Sequence, residues 1–277
     1  LVGLAVAVGV YPIIRRLLQR LETLQRSVQR FGEGDLSVRV SEQGQDEVAD
    51  LARQFNAAAA RIEALVKTHK SLLANASHEL RSPLTRIRMG LELMGGNQPS
   101  PAFREEILRN IAELDQLVDE ILLASRLDAR EADVGTVELV DLIGLAAEEC
   151  ARVDAELDVT AVPEGLEVRG VAKLLRRALR NLLENARRYS QGDITVVLQR
   201  HDGQAQLSVL DRGPGVPPAL RERIFEPFYR LPGASERAGG VGLGLALVRS
   251  IAQRHNGSVR CEDQPDGSGG ACFVLRL

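Results

Sequence analysis

The chain has 277 residues, more than one hydrophobic core usually organises, so more than one domain is expected. Its net charge of −3 excludes the basic footprint of a nucleic-acid-binding protein. With no Trp and only 3% aromatic residues, its cores must rest on Leu, Val, Ile and Ala.

Leu1 to Val10 carries no polar side chain, Ile13 and Ile14 prolong the run, and Arg15 and Arg16 end it. About 20 apolar residues are needed to cross a bilayer. Residues 1–11 are therefore expected to be the end of a longer transmembrane helix, with Arg15, Arg16 and Arg20 on its cytoplasmic side. Ile14, Leu17, Leu21, Leu24 and Val28 then recur at spacings of three and four. After a break at Phe31–Asp35 and an alternating connector of Leu36, Val38 and Val40, the pattern resumes with Val48, Leu51, Phe55, Ala58, Ile62 and Leu65. Two short parallel helices cannot bury both seams alone. A second copy of the chain would complete a parallel four-helix bundle.

The next seam is Leu73, Ala76, Leu80, Leu84, Ile87, Leu91 and Met94. It contains Ser77-His78-Glu79-Leu80-Arg81-Ser82-Pro83, in which His78 falls between seam positions and so near the surface. An imidazole nitrogen can attack a phosphoryl group, and the adjacent carboxylate of Glu79 is placed to orient the ring and take its proton. The four-residue step from Leu80 to Leu84 interrupts the heptad. Pro83 removes a helical N–H and crowds the Glu79 carbonyl, so this turn is expected to be weakened. Gly95 to Pro101 reads as a turn, and Ile107, Ile111, Leu114, Val118 and Ile121 as the apolar face of a second, antiparallel helix. Two such hairpins make a four-helix bundle.

Beyond Thr136 the texture changes. Residues 137–141, 157–162, 167–169, 193–200, 205–211, 258–262 and 271–277 read as strands, and 142–153, 171–189 and 243–256 as helices, which predicts a two-layer α/β domain. Cys150, Cys261 and Cys272 lack CxxC spacing and read as buried free thiols.

A phosphoryl donor must come from this half. Asn181 and Asn185 share a helical face, an amide oxygen suits Mg²⁺ beside phosphate oxygens, and Arg188 lies near the same face. In Asp211-Arg212-Gly213-Pro214-Gly215 a carboxylate after a strand can accept from an exocyclic amine such as adenine's, with glycines admitting a flat ring. Gly239 to Ala246 precedes an apolar helix and offers backbone N–H groups to phosphates. It is neither a P-loop, lacking the Lys, nor a dinucleotide fingerprint, lacking the preceding strand. Phe225 to Arg230 supplies aromatics read as a docking surface for the His78 rod, with Arg230 in reach of the transferring phosphoryl group. Gly267 to Gly270 is a turn before the last strand.

Together, in this order and spacing, these residues resemble a membrane-bound sensor histidine kinase of a two-component system. Residues 12–64 resemble a HAMP signal-transfer domain, and 65–130 the dimerisation and histidine-phosphotransfer hairpin. Residues 131–136 are a linker, and 137–277 resemble the catalytic ATP-binding domain of the Bergerat (GHKL) fold. The His78 stretch matches the H box, Asn181–Ser190 the N box, and Phe225–Arg230 the F box. Asp211–Gly215, Gly240–Gly244 and Gly267–Ala271 match the three glycine boxes.

The resemblance implies a multidomain protein: a parallel HAMP coiled coil, an antiparallel hairpin forming a dimeric four-helix bundle, and an α/β sandwich that binds ATP and Mg²⁺. It makes His78 the phosphoacceptor, Glu79 its general base and Asn185 the Mg²⁺ ligand, with Asn181 nearby. Asp211 would bind the adenine amine and Arg230 the phosphoryl group. Arg188, Tyr189, Gly213, Gly215, Gly240, Gly242, Leu243, Gly244 and Leu245 complete the nucleotide site. Ser82 stands where the family commonly has Thr, and its hydroxyl is expected to place a water for dephosphorylating the partner. Arg188 stands where relatives often carry Lys, which keeps the charge but changes the donor geometry.

The expected partners are a second copy and a cytoplasmic response regulator with a phosphoacceptor aspartate. The expected location is the bacterial inner membrane, with these domains in the cytoplasm. No His-Arg-Asp loop or Asp-Phe-Gly is present, so transfer to Ser or Thr is not expected. The competing readings are an enzyme that is mainly a regulator phosphatase, and a non-enzymatic coiled-coil scaffold.

Overall fold

The computed structural model describes residues 2–93, 100–128, 135–162, 164–190, 192–231, 241–267 and 269–277. Two compact units result, residues 1–73 and 74–277.

In the first unit, helix α1 (Val2–Gly32) runs unbroken through Pro12 and ends where the glycines begin. Among the described residues no helix is long and apolar enough to cross a membrane. The connector is fastened at both ends. Arg20 pairs with Asp46 and donates to the Gln43 carbonyl at 2.7 Å. Asp46 also caps α2 (Glu47–Leu93) by accepting from Ala49 N–H at 2.9 Å. The Asn56 amide bonds both backbone groups of Val40, at 2.9 and 2.8 Å. Leu24, Val38, Ala49, Ala52 and Ala59 are buried, and Phe31 meets Phe55 edge to face at 5.7 Å. Most of the expected seam stays exposed, notably Ile14, Leu17, Leu21, Val28, Leu51, Ile62 and Leu65. One chain buries Leu24 of α1 and the alanine side of α2, and leaves most of the large apolar side chains of both helices uncovered.

The seam that ends at Leu65 and the next one from Leu73 lie on one 47-residue helix, α2, which continues through Pro83, where a weakened turn is expected. Pro83 costs one helical N–H, and its ring is buried, so packing offsets that loss. Within the second unit α2 pairs with α3 (Pro101–Asp128). A Cβ on Gly90 would run into the Phe103 ring. Arg86 donates to Asn110 at 2.7 Å and to Glu113 at 2.6 Å. The turn expected over 95–101 lies largely outside the described residues. The buried face of α3 is not the expected one. It is Asn110, Leu117, Glu120, Ala124 and Leu127, while Ile111 and Val118 are exposed. The reason is that α3 packs against both α2 and the catalytic layer, which rotates the covered stripe.

The α/β layer follows the sequence pattern closely. Strand β1 (Glu138–Asp141) pairs antiparallel with β3 (Glu167–Gly170). The main sheet has order β2-β4-β5-β7-β6, with β2 (Glu156–Asp158), β4 (Thr195–His201), β5 (Gln204–Leu210), β6 (Ser258–Asp263) and β7 (Ala271–Arg276). Only β2–β4 is parallel. The strand expected over 157–162 stops at Asp158, whose carboxylate accepts from Thr160 N–H at 2.9 Å and turns the chain.

Alternation sends Val196, Leu198, Leu207, Val209, Phe273 and Leu275 to one sheet face. Helices α4 (Leu142–Val153), α5 (Ala172–Tyr189) and α6 (Gly244–Arg254) form the second layer. In α5, Leu174, Leu175, Leu179, Leu182 and Leu183 are buried. Cys150, Cys261 and Cys272 are buried free thiols, as expected.

Two polar fixtures hold α5, the helix that carries the Asn pair. Val171 gives it no side-chain cap; instead His255 Nε2 accepts Val171 N–H at 3.0 Å while Nδ1 donates to the Ile251 carbonyl at 2.7 Å. Replacing His255 with Ala orphans that N–H and is expected to cost about 1–2 kcal/mol, read by urea unfolding.

The second fixture is Glu149, buried on α4. It accepts from Arg180 at 2.9 Å through both its oxygens and from Arg176 at 3.2 Å. The Arg180 bonds, then those of Arg176, hold its carboxyl below the ordinary glutamate range. A depressed acid stabilises the fold above its unfolded pKa and loses that effect as pH falls through the folded one. Acid unfolding of Glu149→Gln should therefore show a shallower pH dependence than the unaltered chain below about pH 4.5.

Candidate functional site

The elements around α5 enclose a cavity of about 550 Å³, within the range of small-ligand sites. Its walls bring together Asn181, Asn185, Arg188 and Tyr189 from α5, Asp211 and Gly215 after β5, Tyr229 and Arg230, and Gly242, Gly244 and Leu245 at the start of α6.

Asp211 sits at one wall, only 3% exposed. One of its oxygens accepts from Gly213 N–H at 2.8 Å and Ala271 N–H at 3.3 Å. Burial raises its carboxyl pKa, and those two N–H groups pull the other way. Gly270, at φ +100°, lies so close to the Asp211 carbonyl that a Cβ would collide with it. That is the reason the third glycine stretch faces the first. Gln264 also donates to the Asp211 carbonyl.

Asn181 is buried, and its amide donates to the Gly244 carbonyl at 3.1 Å. It clamps the glycine loop onto α5, while Asn185, one turn on, is half-buried in the cavity wall. Leu243 is fully buried and caps α6 without a side-chain bond, so the first N–H groups of that helix have no side-chain partner from their cap. Gly242, at φ +81°, packs on the backbone of Phe228, whose N–H donates to the Gly242 carbonyl at 2.9 Å. Gly240 lies outside the described residues, as do 232–240 as a whole.

The aromatic stretch divides differently from expectation. Phe225 is not a docking surface. It is 3% exposed and packs edge-on against Phe273 in the domain core, with ring centres 6.4 Å apart. Tyr229 reaches the cavity wall and stacks under Arg223 at 4.5 Å. Arg230 lines the cavity too, and its Nη2 is buried with no hydrogen-bond partner among the described residues. A buried guanidinium nitrogen left unpaired beside a cavity favours an anionic ligand.

His78 is exposed on α2, Glu79 is half-buried, and Ser82 is exposed one turn later. Arg86 donates to the Ser82 hydroxyl at 3.4 Å. His78 does not line the cavity. Its height along the hairpin follows from the helix pairing. Arg86 meets Asn110 and Glu113, so two turns back to His78 on α2 is two turns forward on α3, to about Leu117–Glu120. Those residues line the cavity. Sequence reasoning missed this α3 wall of Arg109, Glu113, Gln116, Leu117 and Glu120, because nothing local in a helix records what docks on it.

Three family models match, in chain order: the HAMP domain at residues 13–64, the His Kinase A (phospho-acceptor) domain at 68–130, and the histidine kinase-, DNA gyrase B- and HSP90-like ATPase at 170–277. The chain belongs to the sensor histidine kinases of two-component systems. Sensor protein RstB of Escherichia coli (strain K12) is 34% identical over 98% of this chain and 63% of its own length. The signal transduction histidine-protein kinase/phosphatase MprB of Mycobacterium sp. (strain KMS) is 33% identical over 100% of this chain and 56% of its own. The chain thus spans between about half and two thirds of these relatives. The solved structure of Acinetobacter baumannii histidine kinase AdeS shares the fold, with a TM-score of 0.59 over 72% of this chain and 96% of that one, at 23% identity.

Proposed function

We propose that this sensor kinase chain autophosphorylates on His78 from ATP and passes the phosphoryl group to an aspartate of a response regulator. The observation that carries the reading is the cavity that joins a buried carboxylate, an unpaired Arg230 nitrogen and an uncapped helix start, at the height of His78 on the hairpin. ATP fits its chemistry. Asp211 offers its remaining oxygen to the adenine amine. Gly215 lines the cavity, whereas Gly213 does not: a Cβ there would run into the Tyr189 carbonyl, and its N–H holds Asp211 in place. Asn185 is the ligand for Mg²⁺, which supplies charge neutralisation to the phosphates. Arg188, Tyr189 and the Gly242–Leu245 turn hold the polyphosphate, and Arg230 contacts its terminal group.

In the reaction a ring nitrogen of His78 attacks the γ-phosphorus, the bond to the β–γ bridging oxygen breaks, and ADP leaves with that electron pair. Glu79 accepts the imidazole proton. Positioning and charge neutralisation carry the rate enhancement. The regulator aspartate then attacks the phosphorus and His78 is restored.

The exposed Ser82 hydroxyl, one turn from His78, supports a regulator phosphatase activity alongside the kinase, in line with the kinase/phosphatase name of the MprB relative. Uncovered apolar faces on α1, α2 and α3 support a homodimer in which residues 65–130 form the four-helix bundle and residues 12–64 the HAMP bundle. The HAMP match also supports anchoring at a membrane through upstream sequence, with residues 137–277 the catalytic domain on the cytoplasmic side.

Incubation with ATP labelled at the γ-phosphate tests the reading. Acid-labile, base-stable label on the chain that chases onto a regulator aspartate is expected. Absence of label despite bound nucleotide would reject it.

A further inference from the structure

Arg86 ties the two helices of the hairpin together two turns past His78, and each of its three guanidinium nitrogens has its own partner. Nε donates to the Asn110 amide oxygen at 2.7 Å and Nη2 to the Glu113 carboxylate at 2.6 Å, both on α3. Nη1 donates to the Ser82 hydroxyl at 3.4 Å, back on α2. Asn110 is itself held. It is 6% exposed, and its amide nitrogen donates to the Glu106 carbonyl at 2.8 Å. Two short bonds, one of them to a carboxylate, therefore set the guanidinium plane, and the third, longer bond follows that plane to Ser82.

His78, Ser82 and Arg86 are spaced by four and share one face of α2. A serine at an exposed helical position has no second γ-substituent to narrow χ1, so its hydroxyl can point in more than one direction. Helical hydroxyls also fold back onto the carbonyl four residues earlier, as Thr85 does onto Arg81 at 2.8 Å. Ser82 behaves differently. Among the described residues its hydroxyl bonds Arg86 alone. A hydroxyl has one O–H and two lone pairs. Arg86 fills one lone pair and leaves the O–H and the other lone pair to a water and to the phosphoryl group of a docked regulator.

We propose that Arg86 is a positioning residue for hydrolysis of the regulator's phosphoaspartate, holding the Ser82 hydroxyl in the rotamer that places the attacking water. In that step the water oxygen bonds to phosphorus in line with the aspartyl oxygen, and the bond from phosphorus to that aspartyl oxygen breaks. The aspartate keeps the electron pair, and both water protons leave on the phosphate. Arg86 supplies from across the hairpin the restraint that a γ-methyl would supply from within the residue. The assignment rests on the phosphatase reading of Ser82, and its test separates the two.

The substrate for the test is the purified response regulator that takes label fastest from phosphorylated His78, charged beforehand with radiolabelled acetyl phosphate. Release of inorganic phosphate is followed against regulator concentration for the unaltered chain, Ser82→Ala, Arg86→Gln, Arg86→Lys, and Arg86→Gln combined with Ser82→Thr. Arg86→Gln and Arg86→Lys should each lower kcat about tenfold at unchanged KM, because neither an amide nor an ammonium spans the three partners. Adding Ser82→Thr to Arg86→Gln should restore kcat, which also shows that the single variant's loss is not a folding defect. Full activity in Arg86→Lys would overturn the assignment by making charge sufficient. A raised KM at unchanged kcat would do the same, since it marks a residue that only touches the regulator. A double variant as slow as Arg86→Gln would also reject it. Ser82→Ala no slower than the unaltered chain would sink the phosphatase reading, and the positioning role with it. Slow Ser82→Ala beside a normal Arg86→Gln would sink the positioning role alone.

Discussion

Asp211→Asn should lower Mg-ATP affinity by about ten- to hundredfold while leaving the catalytic domain as stable as before or more so. The direction follows from which oxygen is occupied. The oxygen that accepts from Gly213 and Ala271 N–H is the one an amide must present to them. The amide nitrogen then faces the cavity, where the adenine amine is also a donor. Donor meets donor, and a charge-assisted bond becomes a repulsive contact. Stability runs the other way. Burial raises the Asp211 pKa, so the native state holds this proton more tightly than the unfolded chain does. The stability linked to that proton is present below the unfolded pKa and is lost as pH rises through the folded one. At neutral pH the buried charge is a cost, and Asn removes it. Isothermal calorimetry with a parallel thermal melt reads both quantities. Weaker binding with a lowered melting temperature would mean that the substitution damaged the fold, and unchanged binding would remove Asp211 from adenine recognition.

His78→Gln should abolish acid-labile labelling altogether and leave Mg-ATP affinity unchanged. The ring is exposed and outside the cavity, so its loss touches neither packing nor the nucleotide walls. Substitutions at such positions usually move stability by less than about 0.5 kcal/mol. Gln carries no nucleophilic nitrogen, so no phosphoramidate forms. Retained label would place the acceptor elsewhere, and lost nucleotide binding would show that position 78 shapes the domain.

The secondary structure of the α/β half was legible in the sequence because its signals are local. Period-two alternation at Thr195–His201 and Gln204–Leu210, and the amphipathic run of Ala172–Tyr189, fix strand and helix without reference to partners. The components of the site were legible for the same reason. Each lies in a short stretch whose residue types suit one chemistry: an amide pair on one helical face, a carboxylate after a strand, glycines before a helix. The strand over 157–162 was misread because Val159 and Val162 are apolar, while the Asp158 side chain turns the chain between them.

Burial in the helical half was read less well. Leu117 and Glu120 are covered because α3 packs on two neighbours, and periodicity records only that a face is apolar, not what covers it. Phe225 read as a surface aromatic for the same reason, since only the fold brings it against Phe273.

The sequence alone determined the elements and the chemical groups, because backbone periodicity and side-chain chemistry are properties of short segments. The tertiary structure decided how they meet. Gly270 backs onto Asp211, Asn181 clamps Gly244, and Glu120 reaches Arg177 across 57 residues. These contacts join residues far apart in the chain, and their existence depends on packing energy summed over the whole second unit.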